Sequence, residues 1–273
     1  MTWLAPNQTA GGVYPFLFTY SPDINGRAVA PQQDTPANRI TWGGCITTHN
    51  YLSSFMSANT TGTYQAFYGF YKTCFYNSVP APNYLMAAVV GDLQSQDLGE
   101  TTSILAEPSV LASAATEFNN TQVIFNTVEA FVQTPFIWGT YRIVIMPPSF
   151  PMGGASQPML SFLSQTTIVG DQSQEYVLVR GIAQQWTGNQ VTPNNWEDFW
   201  LNEGFTTYVE RMVQAQLFDQ NFAYTEAFVG NTSFASQVNI YGAQDLTYSS
   251  LHPVLHGDNP DNSFSIVPFE KGF

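Results

Sequence analysis

Hydrophobic and polar positions change rhythm once along this chain. Up to about residue 97 the apolar residues come in short runs of β-branched and aromatic side chains, at residues 16–20, 39–42, 64–68 and 84–90. Gly, Pro and Asn clusters separate the runs, so each predicts a strand. Past residue 107 the period lengthens. Pro108, a residue suited to the first turn of a helix, opens a stretch with apolar residues at helical spacing through Phe131. Tyr141-Arg142-Ile143-Val144-Ile145-Met146 predicts a strand stopped by Pro147-Pro148. Helices are predicted over residues 174–186 and 200–218, with a third over 219–229. There is no internal repeat and no low-complexity tract. The pattern predicts an α+β chain: a β-rich portion over residues 1–97, then a mixed helical and strand portion over 98–273.

Composition narrows the function classes. Hydrophobic residues make up 44% of the 273 positions and aromatics 15%, enough for a substantial core. Charged residues are only 10%, against about 25% in ordinary soluble domains. Asn, Gln, Ser and Thr take their place, which suits a secreted protein or a subunit covered by neighbours. The net charge is −13, from 7 Lys and Arg against 20 Asp and Glu. Lys72 and Lys271 are the only lysines, so no basic cluster exists to displace counterions from nucleic acid or an anionic membrane. No apolar run approaches the ~20 residues of a membrane span, and the first residues do not read as a signal peptide. Membrane insertion is not expected. Cys45 and Cys74 are read as two buried thiols rather than a pair, because a disulfide demands specific Cα geometry. Asn7, Asn59, Asn119 and Asn231 head glycosylation sequons, a weak signal in so Asn-rich a chain.

Residues 186–210 read Trp-Thr-Gly-Asn-Gln-Val-Thr-Pro-Asn-Asn-Trp-Glu-Asp-Phe-Trp-Leu-Asn-Glu-Gly-Phe-Thr-Thr-Tyr-Val-Glu. This stretch resembles the core of the M1-type zinc aminopeptidases, of the leukotriene hydrolase and aminopeptidase B type. The resemblance extends over nearly the whole chain, through residues 3–9, 27–36, 147–154 and 267–273. It implies part of a saddle-like β-domain followed by a thermolysin-like domain. That family's β-domain begins upstream of anything matching Met1, and further sequence follows the position of Phe273. Cut domain faces covered by a protein partner or by another copy are therefore expected.

The resemblance also implies a site, and the site is altered. The family's zinc helix carries His-Glu-x-x-His; the matching positions here are Arg180, Gly181, Ile182, Ala183 and Gln184. Histidines four apart share one helical face, and a carboxylate from the next helix completes the ligand set. Arg has no lone pair to give and repels a cation, while Gln offers a neutral carbonyl oxygen. Glu203 keeps the third ligand position and is expected to pair with Arg180. Gly181 replaces the general base. The amine-anchoring Gly-Gly-Met-Glu-Asn motif reads Gly153-Gly154-Ala155-Ser156-Gln157 here, so Ser156 replaces the glutamate. Phe269 stands where the family has its oxyanion-stabilising tyrosine.

The expectation is a catalytically inactive homologue with no bound metal or cofactor, acting as a structural or interaction subunit. Two alternatives are a working zinc aminopeptidase or epoxide hydrolase, and a peptide-binding module using the cleft beside Gly153, Gly154 and Ala155. Other candidates carry less. His252 and His256 are four apart, but Pro253 and the Gly257-to-Pro260 turn argue against a helix and a metal pair. Asp261 resembles an acidic residue near the family's site. Glu210 and Arg211 are read as surface residues or as residues behind the site. Arg142 is read as a paired structural residue. The sequence names neither partner nor compartment.

Overall fold

The computed structural model describes residues 1–21, 24–241, 247–255, 257 and 259–273. Strands β1 (Thr2–Leu4), β2 (Phe16–Phe18), β3 (Arg39–His49), β4 (Ser53–Met56), β5 (Asn59–Phe67), β6 (Phe70–Pro82) and β7 (Ala88–Gly91) come first. They form two antiparallel sheets, ordered β1-β2-β7-β4 and β3-β6-β5. Next come β8 (Gln94–Asp97), β9 (Thr102–Ala106), helices α1 (Pro108–Glu117) and α2 (Thr121–Val132), then β10 (Tyr141–Met146), β11 (Gly154–Gln157) and β12 (Leu160–Ser164). The five strands make a mixed sheet ordered β11-β12-β10-β9-β8. Four further helices follow: α3 (Tyr176–Ala183), α4 (Trp200–Leu217), α5 (Gln220–Tyr241) and the single turn α6 (Val267–Glu270). The fold is α+β, as its sequence pattern predicts.

The mixed sheet organises the second half. Its central strand β10 pairs in parallel with both β9 and β12, while β8 and β11 are antiparallel edges. A central strand is buried on both faces, which is why residues 141–146 are almost continuously apolar. One face carries Ile143 and Ile145 against Phe125, Val128, Leu178, Ile182 and Val213 from the helices. The other carries Val144 and Met146 against Phe16, Phe18 and Val89 of the first sheet. Because β8 hydrogen-bonds to β9, this sheet starts at Gln94, and the 97/98 boundary falls within the β8–β9 hairpin. Among the described residues, no helix is long and apolar enough to cross a membrane.

Several elements differ from their expected extent. The stretch of helical spacing from 108 to 131 forms two helices. The run breaks at Asn119-Asn120, whose side chains compete with the helix for backbone bonds. The Asn120 backbone N–H and side chain donate instead to the Glu175 carboxylate, at 3.2 and 3.0 Å. The run at 84–90 is a strand only from Ala88; residues 83–85 form a 3-10 turn braced by Ser57, which accepts the Ala87 N–H at 2.8 Å. Strand β6, missed in the sequence, returns from β5 through Gly69, whose φ of 78° suits a residue without a side chain. Helix α5 continues twelve residues beyond the predicted 229, to Tyr241. Helix α3 is shorter than predicted, with turns flanking Tyr176 and Ala183.

The two cysteines correct an expectation: they form a disulfide. Cys45 and Cys74 are direct cross-strand partners on β3 and β6, with Cα atoms 4.0 Å apart. The register could not be read while β6 was unrecognised, so free thiols appeared the better reading.

Candidate functional site

A cavity of about 570 Å³ opens where α3, α4, α6 and the edge strand β11 converge. Arg180 projects into it from α3. Its guanidinium is bonded to the Glu203 carboxylate of α4, the pair expected from the sequence. It also reaches Glu210 at 3.0 Å and the Thr207 hydroxyl at 3.3 Å. Residues 203, 207 and 210 are spaced four and three apart, so α4 presents them on one face in successive turns. The Phe269 ring of α6 covers the cation, 4.8 Å from centroid to guanidinium carbon.

The charge balance is uneven: one guanidinium faces two carboxylates. Burial pushes the carboxyls of Glu203 and Glu210 above the ordinary glutamate range, and Arg180 opposes that shift without cancelling it. Burial works against the charged guanidinium as well, but the two carboxylates outweigh it and raise its pKa.

A second network ties the edge strand to α3. The Tyr141 hydroxyl donates to Ser161 at 2.8 Å, Ser161 donates to Ser156 at 3.1 Å, and Ser156 donates to the Gly181 carbonyl at 2.8 Å. Gln185 adds a donor to Ser156 at 2.7 Å and accepts the Met159 N–H at 2.8 Å. Ser156 is thus committed to holding β11 against the helix. Gly181 leaves room beside the same network: a Cβ there would sit 3.4 Å from the Tyr141 hydroxyl, an ordinary contact. Gln184 lines the cavity, and its side chain has no hydrogen-bond partner among the described residues. Gly153, Gly154 and Ala155 form the cavity rim, with Gly154 exposed on the sheet edge.

Close packing sets the position of Phe269. A Cβ on Gly204 would lie 2.7 Å from the Gly272 backbone, so α4 and the turn after α6 touch main chain to main chain. Arg211, two turns further along the same face of α4, reinforces that contact, bonded to Glu270 at 2.8 Å and lying under the Phe273 ring at 4.4 Å.

The structure therefore brings Arg180, Glu203, Phe269, Gly181, Ser156 and Gln184 to one cavity. Glu210, one of the residues read as surface or behind the site, belongs with them; Thr207 and Gln185 do too and were missed, though the α4 spacing is a signal for Thr207. Glu210 lies in the cavity wall, and Arg211 is buried, so neither is a surface residue. Arg142 is not paired: no carboxylate meets it among the described residues, and burial lowers its pKa. His252 pairs with Asp198 at 2.9 Å, and His256 lies outside the described residues. Asp261 accepts from Asn25 at 3.2 Å.

A zinc ion does not fit these side chains. Of the two helix positions, one holds a cation and the other a neutral amide, and the Glu203 oxygen that would face a metal is engaged by the guanidinium. Among the described residues no three His, Cys, Asp or Glu side chains converge in the manner of a metal site.

Comparison with known proteins places the chain. The Peptidase family M1 domain matches residues 116–273. The chain is 37% identical to leukotriene A-4 hydrolase of Xenopus laevis, over 100% of its own length and 45% of that protein's. It is 35% identical to rat aminopeptidase B, over 99% of itself and 41% of the relative. The structure of native yeast LTA4 hydrolase superimposes with a TM-score of 0.89 at 32% identity, covering 99% of this chain and 42% of that one. The chain thus spans less than half the length of the relatives it matches. With more than half of its residues inside the domain match, and its strands and helices overlaid on a solved relative, this chain belongs to peptidase family M1.

Proposed function

We propose that this chain is an inactive member of its family, a pseudoenzyme that acts as a structural or interaction subunit in a larger protein assembly. One observation carries the reading. The Arg180 guanidinium, at the position that the family resemblance gives to a metal ligand, is held by Glu203 and Glu210. A fixed cation at that place repels the metal that the chemistry of the relatives' family calls for. Gly181, Ser156 and Phe269 offer no general base, no charge for an ammonium group and no hydroxyl for an oxyanion. Support for an interaction role comes from apolar side chains left in water. Tyr68 is 96% exposed and Ile240 73%, with Trp3 also exposed. Such surface suits contact with a protein partner or a second copy.

The test is an assay of the purified protein against chromogenic amino-acid amides, with and without added zinc. Absence of turnover in both arms is expected. Zinc-dependent turnover would overturn the reading and favour a working aminopeptidase or epoxide hydrolase. A second reading is a peptide-binding module. It is favoured by β11, a free sheet edge that borders the cavity with Gly153 and Gly154 at its mouth. Binding of short peptides without hydrolysis, lost on filling the edge with Gly154→Val, would select it over the purely structural role.

A further inference from the structure

We propose that this chain matures in an oxidising, glycosylating compartment and carries N-linked glycans at Asn7, Asn59, Asn119 and Asn231. The sequons are Asn7-Gln8-Thr9, Asn59-Thr60-Thr61, Asn119-Asn120-Thr121 and Asn231-Thr232-Ser233. All four asparagines are exposed, and no hydrogen bond to another described residue holds any of their side-chain amides. Asn77, Asn83, Asn189 and Asn202 are buried, and none of them heads an acceptor triplet. Asparagine is buried at some positions of this chain, and every acceptor asparagine faces water.

The four positions also leave the cavity clear. Asn7 lies in the turn after β1, Asn59 at the start of β5, Asn119 between α1 and α2, and Asn231 within α5. None lines the Arg180 cavity. Asn59 is the cross-strand partner of Tyr76, on the face of the β3-β6-β5 sheet that also carries Tyr64 and Cys74. Tyr76 and Tyr64 are exposed there. A glycan on Asn59 would shade those rings, and sugar elsewhere would supply the hydration that a surface with 10% charged residues lacks.

The disulfide is the independent observation. Cys45 and Cys74 are the chain's two cysteines, they are bonded to each other, and Cys45 is exposed. An exposed disulfide persists where the surroundings are oxidising and is reduced where glutathione and thioredoxin act. N-glycosylation belongs to the same secretory environment. The two thiols give up two protons and two electrons to a disulfide-bearing oxidant, which leaves as a dithiol. In glycosylation the oligosaccharide moves from a lipid diphosphate donor to the asparagine Nδ2. The glycosyl C–O bond breaks, a C–N bond forms, Nδ2 loses a proton and the lipid diphosphate leaves.

The protein recovered from its own cells decides the matter. Its peptides are treated with peptide N-glycosidase in heavy-oxygen water, which turns each glycosylated asparagine into labelled aspartate. Free thiols are alkylated before reduction on a parallel sample. Label at the four asparagines, with Cys45 and Cys74 protected from alkylation, is the expected result. Any site recovered only as unlabelled asparagine is struck from the assignment. Unlabelled asparagine at all four, or alkylation of Cys45 and Cys74 before reduction, overturns the proposal.

Discussion

The Phe269 ring lies 4.8 Å over the guanidinium of Arg180, the same group that Glu203 and Glu210 bind. The ring belongs to the last helix, the cation to α3 and the carboxylates to α4. Three elements far apart in sequence thus share one charge. That arrangement makes Arg180 a structural keystone whose removal should be felt as instability.

Arg180→Met would leave Glu203 and Glu210 in a poorly hydrated wall without a countercharge. Breaking a buried pair in this way costs about 3–5 kcal/mol at neutral pH. The loss should appear as a lower urea midpoint. Adding Glu203→Gln and Glu210→Gln to the same variant removes the stranded charges and should recover most of the loss. An Arg180→Met protein as stable as the parent would show that the cluster holds nothing together.

Acidity should act on the same two carboxylates. Their folded pKa values lie above the ordinary glutamate value of 4.5 because burial disfavours the charged form. The folded state therefore binds protons more readily than the unfolded chain in the window just above 4.5. The stability contribution from these groups is full below that value and is lost as pH rises through the raised values. From these groups, melting temperature should rise as pH is lowered toward 4.5. Glu210→Gln should flatten that rise. A profile unchanged by Glu210→Gln would mean that the carboxylate stays ionised throughout.

The site should accept metal once its residues are restored. Arg180→His, Gly181→Glu and Gln184→His together return two imidazoles one turn apart and a carboxylate between them. A Cβ at position 181 meets an ordinary contact, 3.4 Å from the Tyr141 hydroxyl. One zinc per chain should survive dialysis, measured by elemental analysis. Amide hydrolysis should still be absent, since Ser156 and Phe269 remain. A triple variant that folds and retains no zinc would refute the positional match.

The disulfide should contribute to stability through the unfolded chain. It joins positions 29 apart, and a loop of that order stabilises by about 2–4 kcal/mol when cross-linked. Cys45→Ser with Cys74→Ser should lower the melting temperature while leaving the Arg180 cavity unchanged, since the bond lies on the β3–β6 pair. Comparison of reduced and oxidised parent protein by calorimetry gives the same difference without mutation.

Much of this fold was legible because the two periods are written plainly. Residues 141–146 announce a strand by an apolar run interrupted only at Arg142, and Pro108 marks the start of α1. The altered site was legible through position: the Trp-rich segment at 186–210 fixes where ligands should stand, so Arg180 and Gln184 are conspicuous. What failed has physical causes. Asn119-Asn120 breaks a helix whose apolar spacing continues past it. The β6 strand mixes exposed aromatics with buried positions and shows no clean alternation, so the Cys45–Cys74 pairing was hidden with it. Glu210 looks like a surface residue until its spacing from Glu203 is set against a cation from another helix. Gln185 carries no sequence signal, because its role depends on the distance between α3 and the edge strand.

The contact between Gly204 and Gly272 turns the usual ranking of residues around. Charged groups in the cavity can be exchanged in concert, because each answers to a partner that can change with it. A main-chain contact has no such partner. Any side chain added at either glycine must lever the last helix away from α4, and the aromatic cover over the guanidinium would lift with it. Substitution tolerance around this cavity is therefore governed by two positions that have no chemistry of their own, and a survey of variants would find its sharpest intolerance where a reader of functional groups would not look.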